Sequence, residues 1–176
     1  MCGFAGFTGN IVNRAEVLRK MADRIIHRGP DMEGYHMSGE GEHDSVSFGF
    51  RRLSIIDLAD GAQPMYNEDG TVVSVFNGEI YNFMEIRHEL IAKGHVFKTR
   101  CDSEVIVHGF EEYGVDLFPM LRGMFAFVIY DKKTGALTGA RDPFGIKPFY
   151  YYKKDDKFMF GSEIKGFLDQ IGRAHV

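Results

Sequence analysis

Between residues 14 and 27 apolar side chains recur at helical spacing, with Leu18, Met21, Ala22 and Ile25 on one face, which predicts a first amphipathic helix. Gly29-Pro30 ends it, as glycine and proline do at helix C-termini. Alternation in Val46, Phe48 and Phe50 predicts a half-buried strand. Residues 71–76 and 124–130 are β-branched or aromatic runs of strand length. Two further helices are predicted, over residues 82–93 (Phe83, Ile86, Leu90) and 102–113 (Ile106, Phe110, Tyr113). Hairpins follow at residues 130–135 and at Asp155-Asp156, which separates Phe149-Tyr-Tyr-Tyr152 from Phe158-Met-Phe160. Helices clustered between groups of short strands favour an α+β fold with mostly antiparallel sheets over a doubly wound parallel one. Turn signals are spread evenly and no repeat or low-complexity tract interrupts them, so one compact domain is expected.

Composition narrows the function classes. The 176 residues are 44% hydrophobic and 26% charged, enough for one sizeable core, and 16 Phe with 21 Gly suggest tight turns around an aromatic-rich interior. The net charge of -4 carries no electrostatic footprint for a phosphate backbone or an anionic membrane, so nucleic acid is not an expected partner. The longest apolar run, residues 124–130, falls far short of the roughly 20 residues that span a bilayer. The first residues lack the basic start and apolar stretch of a secretory leader, so no membrane association and a cytoplasmic location are expected. Two cysteines, Cys2 and Cys101, cannot build a disulfide framework or a zinc cluster.

Chemistry can nevertheless reside in one of them. Removal of Met1 would leave Cys2 with a thiol and a free α-amine, whose reference pKa of about 7.7–8.0 suits it to act as base to its own nucleophile. By position alone Cys2 reads more readily as a small buried hydrophobe after the initiator. Gly3 and Gly6 shift the balance, because they let the backbone approach a ligand closely. Asn77-Gly78-Glu79 offers an amide side chain and a backbone N–H to an oxyanion, or else a plain Asn-Gly turn. Arg51-Arg52 offers a guanidinium to a carboxylate, or a solvated surface pair. Asp102 opens a predicted helix, where it can cap the N-terminus, bind an amine, or do both. Together, a nucleophile, oxyanion donors, a cation and an anion suit a zwitterionic amino acid attacked at its distal carbonyl. The seven histidines include no pair at i, i+4 with a glutamate between and no Cys/His cluster, so no metal site is expected. There is no phosphate-binding glycine loop, and Ser38-Gly-Glu-Gly41 reads as a hairpin tip.

These residues resemble a known family: the class II glutamine amidotransferase domain at the N-terminus of glutamine-hydrolysing asparagine synthetases. The matching segments are Met1-Cys-Gly-Phe-Ala-Gly6, His27-Arg-Gly-Pro-Asp31, Arg52-Leu-Ser-Ile-Ile-Asp57, Gly61-Ala-Gln-Pro64, Asn77-Gly-Glu-Ile-Tyr-Asn82, Asp102-Ser-Glu104, Gly123-Met-Phe-Ala-Phe127 and Arg141-Asp-Pro-Phe-Gly-Ile-Lys-Pro148. They run in family order along nearly the whole chain. Sister amidotransferases share the N-terminal cysteine and an Asn-Gly pair but match the other segments less well.

The resemblance implies a four-layer αββα sandwich of two antiparallel sheets, of the N-terminal-nucleophile (Ntn) hydrolase type, over residues 1–170. It implies that Cys2 attacks the carboxamide of L-glutamine, that Asn77 and Gly78 hold the oxyanion, and that Arg52 binds the α-carboxylate. Asp102, helped by Glu79, would bind the α-ammonium, and Leu53, Ser54, Ile55 and Ile56 would line the pocket through their backbone. Ammonia would pass to a C-terminal synthetase domain that activates aspartate. ATP and Mg belong to that domain and no cofactor to this one. The resemblance admits a homodimer. It leaves two alternatives open, an inactive scaffold domain and a relative that amidates another carboxylate. Phe50 and Cys101 depart from the family pattern, and the His27-Arg28 pair reads as structural, as cations at a helix C-terminus do. No Ser-Gly-Gly-x-Asp-Ser pyrophosphate loop is present, and residues 171–176 depart from the family and are expected to be a truncation artefact.

Overall fold

The computed structural model describes residues 1–9, 11–39, 45–53 and 61–171. In chain order its elements are β1 (Gly3–Thr8), α1 (Arg14–Asp23), β2 (Met32–Met37), β3 (Val46–Arg52), β4 (Met65–Tyr66), β5 (Val72–Ile80), α2 (Phe83–Ala92), α3 (Glu104–Tyr113), β6 (Gly123–Asp131), β7 (Leu137–Arg141), β8 (Tyr150–Lys154) and β9 (Lys157–Gly161). The chain divides into two compact units, Met1–Ser54 with Pro148–Val176, and Ile55–Lys147.

The first unit holds a sheet of order β2-β3-β1-β9-β8, antiparallel throughout. Ala5, Phe7, Leu18, Met21, Ile25, Met159 and Phe167 form one of its cores. The predicted first helix is regular only over Arg14–Asp23 and then tightens into a 3-10 turn, Ile26–Arg28, before Gly29-Pro30. Gly29 is obligatory there, because a Cβ would lie 2.5 Å from the main chain of Arg51 and Arg52. β3 is buried along its whole length and not on one face as its alternation predicts. The reason is the small and polar face: Gly49 lies against Leu18 and Ala22 of α1. Ser47 accepts a hydrogen bond from Arg14, and Arg51 pairs with Asp23 of the same helix. Phe48, on the other face, meets Phe160 edge-on at 5.8 Å.

The second unit holds the antiparallel sheet β4-β5-β6-β7. Even positions of β5 (Val72, Phe76, Ile80) and odd positions of β6 (Phe125, Phe127, Ile129) join Ile86 and Leu90 of α2 and Val105 and Ile106 of α3 in one apolar core. That period-2 selection assigns Asn77 to the opposite face of β5. Both predicted hairpins form: Gly135 N–H returns to Asp131 O at 2.8 Å between β6 and β7, and Asp155 adopts φ 53° between β8 and β9. Two antiparallel sheets, each with its own helices or helical turns, are the α+β class that the pattern predicts. No helix among the described residues is long and apolar enough to cross a membrane.

Candidate active site

In the first unit, Cys2 directly precedes β1, and its Sγ lies 3.8 Å from Leu53 O. Its carbonyl accepts a hydrogen bond from Arg28 Nε at 2.9 Å, and Arg28 Nη1 is held by Glu163 at 3.0 Å. Glu163 also meets His27 Nε2 at 2.9 Å and Lys165 at 3.2 Å. Burial pushes the Glu163 carboxyl up, but Arg28, His27 and Lys165 outweigh it and hold it at about 2. The His27-Arg28 pair, read from the sequence as simple helix-end cations, is therefore a clamp on the backbone of Cys2. Its signal was present in the quoted His-Arg-Gly-Pro-Asp segment. Its acidic partner lies some 135 residues away, which no local spacing reveals.

Arg51 and Arg52 separate because consecutive strand residues face opposite ways. Arg51 is tied into the fold, with Nη1 2.8 Å from Glu33 and further bonds to Asp23 and the Ala22 carbonyl. Arg52 is also buried, with Nη1 3.5 Å from the Met32 sulfur. Neither is the solvated surface arginine that the sequence equally allowed. Ser54, Ile55 and Ile56 lie outside the described residues.

In the second unit, Asn77-Gly78-Glu79 is not a turn. β5 runs on to Ile80, with Asn77 opposite Ala126, Gly78 opposite Phe125 and Glu79 opposite Met124. Only glycine fits at position 78, because a Cβ would stand 2.2 Å from Met124 O and 2.7 Å from Phe125 Cα. The neighbouring hydrogen bonds fix where the Gly78 N–H points. Phe76 N–H donates to Gln63 Oε1 at 2.6 Å and its carbonyl accepts from Gln63 Nε2 at 3.1 Å. Ile80 N–H donates to Asp102 Oδ2 at 2.8 Å, whereas Tyr81 N–H turns to the β6 side, to Arg122 O. Alternation places the Gly78 N–H on the same side as those of Phe76 and Ile80, beyond the end of β4. One residue earlier, the Asn77 side chain is 2% exposed and its Nδ2 has no hydrogen-bond partner among the described residues. Buried amides are rarely left so, since an unmade hydrogen bond costs about 1–3 kcal/mol.

Asp102 does not cap α3 through its side chain. Ser103 occupies the N-cap, and the Asp102 carboxylate reaches across to β5. Burial, and after it the charge of Glu79, pushes the Asp102 carboxyl up. A cation placed between these two carboxylates would be favoured for the same reason. Asp142, in the Arg141–Pro148 segment, accepts from the amides of Phe125, Phe144, Ile146 and Lys147 and closes its own loop.

Solved structures share this fold. The glutamine phosphoribosylpyrophosphate amidotransferase from Bacillus subtilis superposes with a TM-score of 0.77 at 20% identity, over 94% of this chain and 43% of that one. A structure described as the allosteric regulatory enzyme of purine biosynthesis gives 0.76 at the same identity and coverage. The sequence model of a family described as a glutamine amidotransferase domain matches residues 1–175, and the chain belongs to that family. Within it, the chain is 47% identical over 173 residues to asparagine synthetase [glutamine-hydrolyzing] 1 of Bacillus subtilis, covering 96% of this chain and 27% of the relative. It is 40% identical over 178 residues to asparagine synthetase [glutamine-hydrolyzing] of Zea mays, covering 98% of this chain and 29% of that protein. The chain thus spans under a third of the length of these curated relatives, and the matched part is their N-terminal region.

Proposed function

We propose that the chain hydrolyses L-glutamine to glutamate and ammonia through a thioester on Cys2. The observation that carries this reading is the Asn77-Gly78 pair: a buried amide donor without a partner among the described residues, beside an N–H directed to the sheet edge. Such donors are costly in the resting fold and favourable only when negative charge develops on an acceptor they can reach.

With Met1 removed, the α-amine of Cys2 takes the thiol proton, directly or through a water, and the sulfur attacks the carboxamide carbon. The carbonyl oxygen becomes an oxyanion received by Asn77 Nδ2 and Gly78 N–H. Collapse breaks the C–N bond, the protonated amine returns its proton to the leaving nitrogen, and ammonia departs. Water then attacks the thioester carbonyl, giving glutamate and the free thiol, so the balance is one glutamine and one water to one glutamate and one ammonia. Arg52 holds the α-carboxylate, Asp102 with Glu79 holds the α-ammonium, and the backbone from Leu53 through Ser54, Ile55 and Ile56 lines the pocket. The Arg28 clamp positions Cys2 by its carbonyl. Ammonia is consumed by a synthetase domain on the same polypeptide, which amidates aspartate at the expense of ATP. A cytoplasmic location, a homodimeric assembly and the lack of a nucleic-acid or membrane partner belong to the same proposal.

The test is glutamate release by the purified chain. Cys2→Ala is expected to lower it by at least about 1,000-fold, as removal of a nucleophile does. A chain whose mass retains Met1 is expected to be equally inactive, through loss of the base. Undiminished turnover in either overturns the mechanism.

A further inference from the structure

We propose that Glu68, His95, His108 and Glu111 form a zinc-binding site in the second unit, separate from the glutamine chemistry and independent of it. One ligand atom from each lies within 4.8 Å of all the others. His108 Nδ1 is 3.0 Å from Glu68 Oε2, and His95 Nδ1 is 3.3 Å from Glu68 Oε1 and 3.9 Å from Glu111 Oε2. Tetrahedral zinc with bonds of about 2.0–2.1 Å sets its donors about 3.3 Å apart, a value that the three separations bracket, Glu68 meeting the two imidazoles through its two oxygens.

The orientation of the imidazoles is the stronger argument. Both present Nδ1 to the cluster and Nε2 to a second carboxylate: His108 to Glu104 at 3.4 Å, His95 to Glu112 at 3.3 Å. A metal-bound histidine is held in this way, its far nitrogen donating to a carboxylate that fixes the tautomer. With Nε2–H donating outward, each Nδ1 lone pair points at carboxylate oxygens, which have no proton to give. Four acceptors then converge, and a cation resolves the conflict. Glu68, Glu104, Glu111 and Glu112 bring four negative charges, against which Lys93 pairs with Glu112 alone at 2.9 Å. A mixed nitrogen and oxygen donor set of this size suits zinc among the common divalent ions.

Three separated segments contribute: Glu68 from the turn before β5, His95 from the connection after α2, and His108 with Glu111 at i, i+3 on α3. Neither a histidine pair at i, i+4 around a glutamate nor a Cys/His cluster marks these residues in the sequence, and 40 residues separate Glu68 from His108. Phe97 covers the His108 ring at 4.3 Å, and Glu104 also accepts the amides of Lys98 and Thr99. Zinc would therefore fasten the connection that leads into Asp102 at both its His95 end and its α3 end.

The test uses the full chain carrying Cys2→Ala, which removes the thiol and so breaks the thiol–amine chelate that would compete for metal, stripped of metal and titrated with zinc alone against a chromophoric indicator. The expected result is one equivalent bound. His95→Gln and Glu111→Gln, at partly exposed positions, should each weaken it by at least about 10-fold with the circular dichroism spectrum unchanged. Cobalt in place of zinc should give tetrahedral d–d bands without thiolate charge transfer, and the same bands with Cys101→Ser. Less than half an equivalent bound at about 10 μM zinc, or unchanged affinity in both variants, overturns the site and leaves two imidazolium ions bridging the carboxylates.

Discussion

One buried asparagine stands in the turn leading to β5 and another within the strand, and the fold treats them in opposite ways. Just before the strand, Asn67 Oδ1 accepts Val72 N–H at 2.9 Å while its Nδ2 donates to Glu111 at 2.9 Å and to Thr71 at 3.3 Å. Ten residues on, Asn77 is as deeply buried, and its Nδ2 has nothing to donate to among the described residues. The residue type and the depth of burial are shared, so the difference lies in the partners the fold gives each side chain. An amide whose donors and acceptor are spent on neighbours stabilises the fold. An amide whose donor is left unpaired weakens it and, in the mechanism proposed above, answers a charge that exists only during reaction.

The comparison breaks if the two variants behave alike. Asn77→Ala is expected to lower kcat for glutamine hydrolysis about 100-fold to 1,000-fold, the usual loss for one oxyanion donor. Its Tm should move little, because an unpaired polar atom leaves the interior with the amide. Asn67→Ala is the converse. It strands the Val72 amide and should cost about 1–3 kcal/mol in urea denaturation while kcat hardly changes. An Asn77→Ala chain that fails to fold, or an Asn67→Ala chain that loses catalysis at full stability, would remove the distinction.

How much of this the sequence shows depends on the distance over which each feature is encoded. Helical and strand periodicity is local, so α1, α2, α3, β3, β6 and both hairpins were legible within a few residues at their ends. Asn77-Gly78 stands out in the sequence as a pair of candidate donors, but its extended conformation does not. Asn-Gly is a common turn signal, and what keeps it extended is β6, whose Met124 carbonyl and Phe125 Cα press on Gly78. Arg51 and Arg52 cannot be told apart in sequence, since which of them meets Asp23 and Glu33 is decided by the side of β3 on which α1 settles. Asp102 has the spacing of a helix cap, and only the proximity of Ile80 turns it away. The Arg28–Glu163 and Glu68–His108 pairs are wholly tertiary, and no pattern along the chain announces either.

A second comparison sets Glu163 against the unpaired Asn77, because here a charge is paired permanently. The carboxyl, ordinarily near 4.5, is held at about 2 in the fold: burial works against the charge and is outweighed by Arg28, His27 and Lys165. A group whose folded pKa is depressed contributes stability that is fully present above its unfolded value and is lost as pH falls toward the folded one. Between pH 4.5 and about 2, therefore, this clamp should progressively stop stabilising the chain. The side chain is 24% exposed, and solvent screening reduces the effect to about 1 kcal/mol. Other carboxylates titrate over the same window, so the informative quantity is a difference. Unfolding free energies of the parent and of Glu163→Gln, from urea denaturation, should stand about 1 kcal/mol apart at pH 6 and converge toward pH 2. A gap that persists into acid would mean that Glu163 acts by packing and not by charge. Activity sharpens the point, because Arg28 grips the Cys2 carbonyl through this partner. In Glu163→Gln at pH 7 the loss should fall mainly on kcat, with KM for glutamine little changed, since a loosened nucleophile leaves the α-carboxylate and α-ammonium contacts in place.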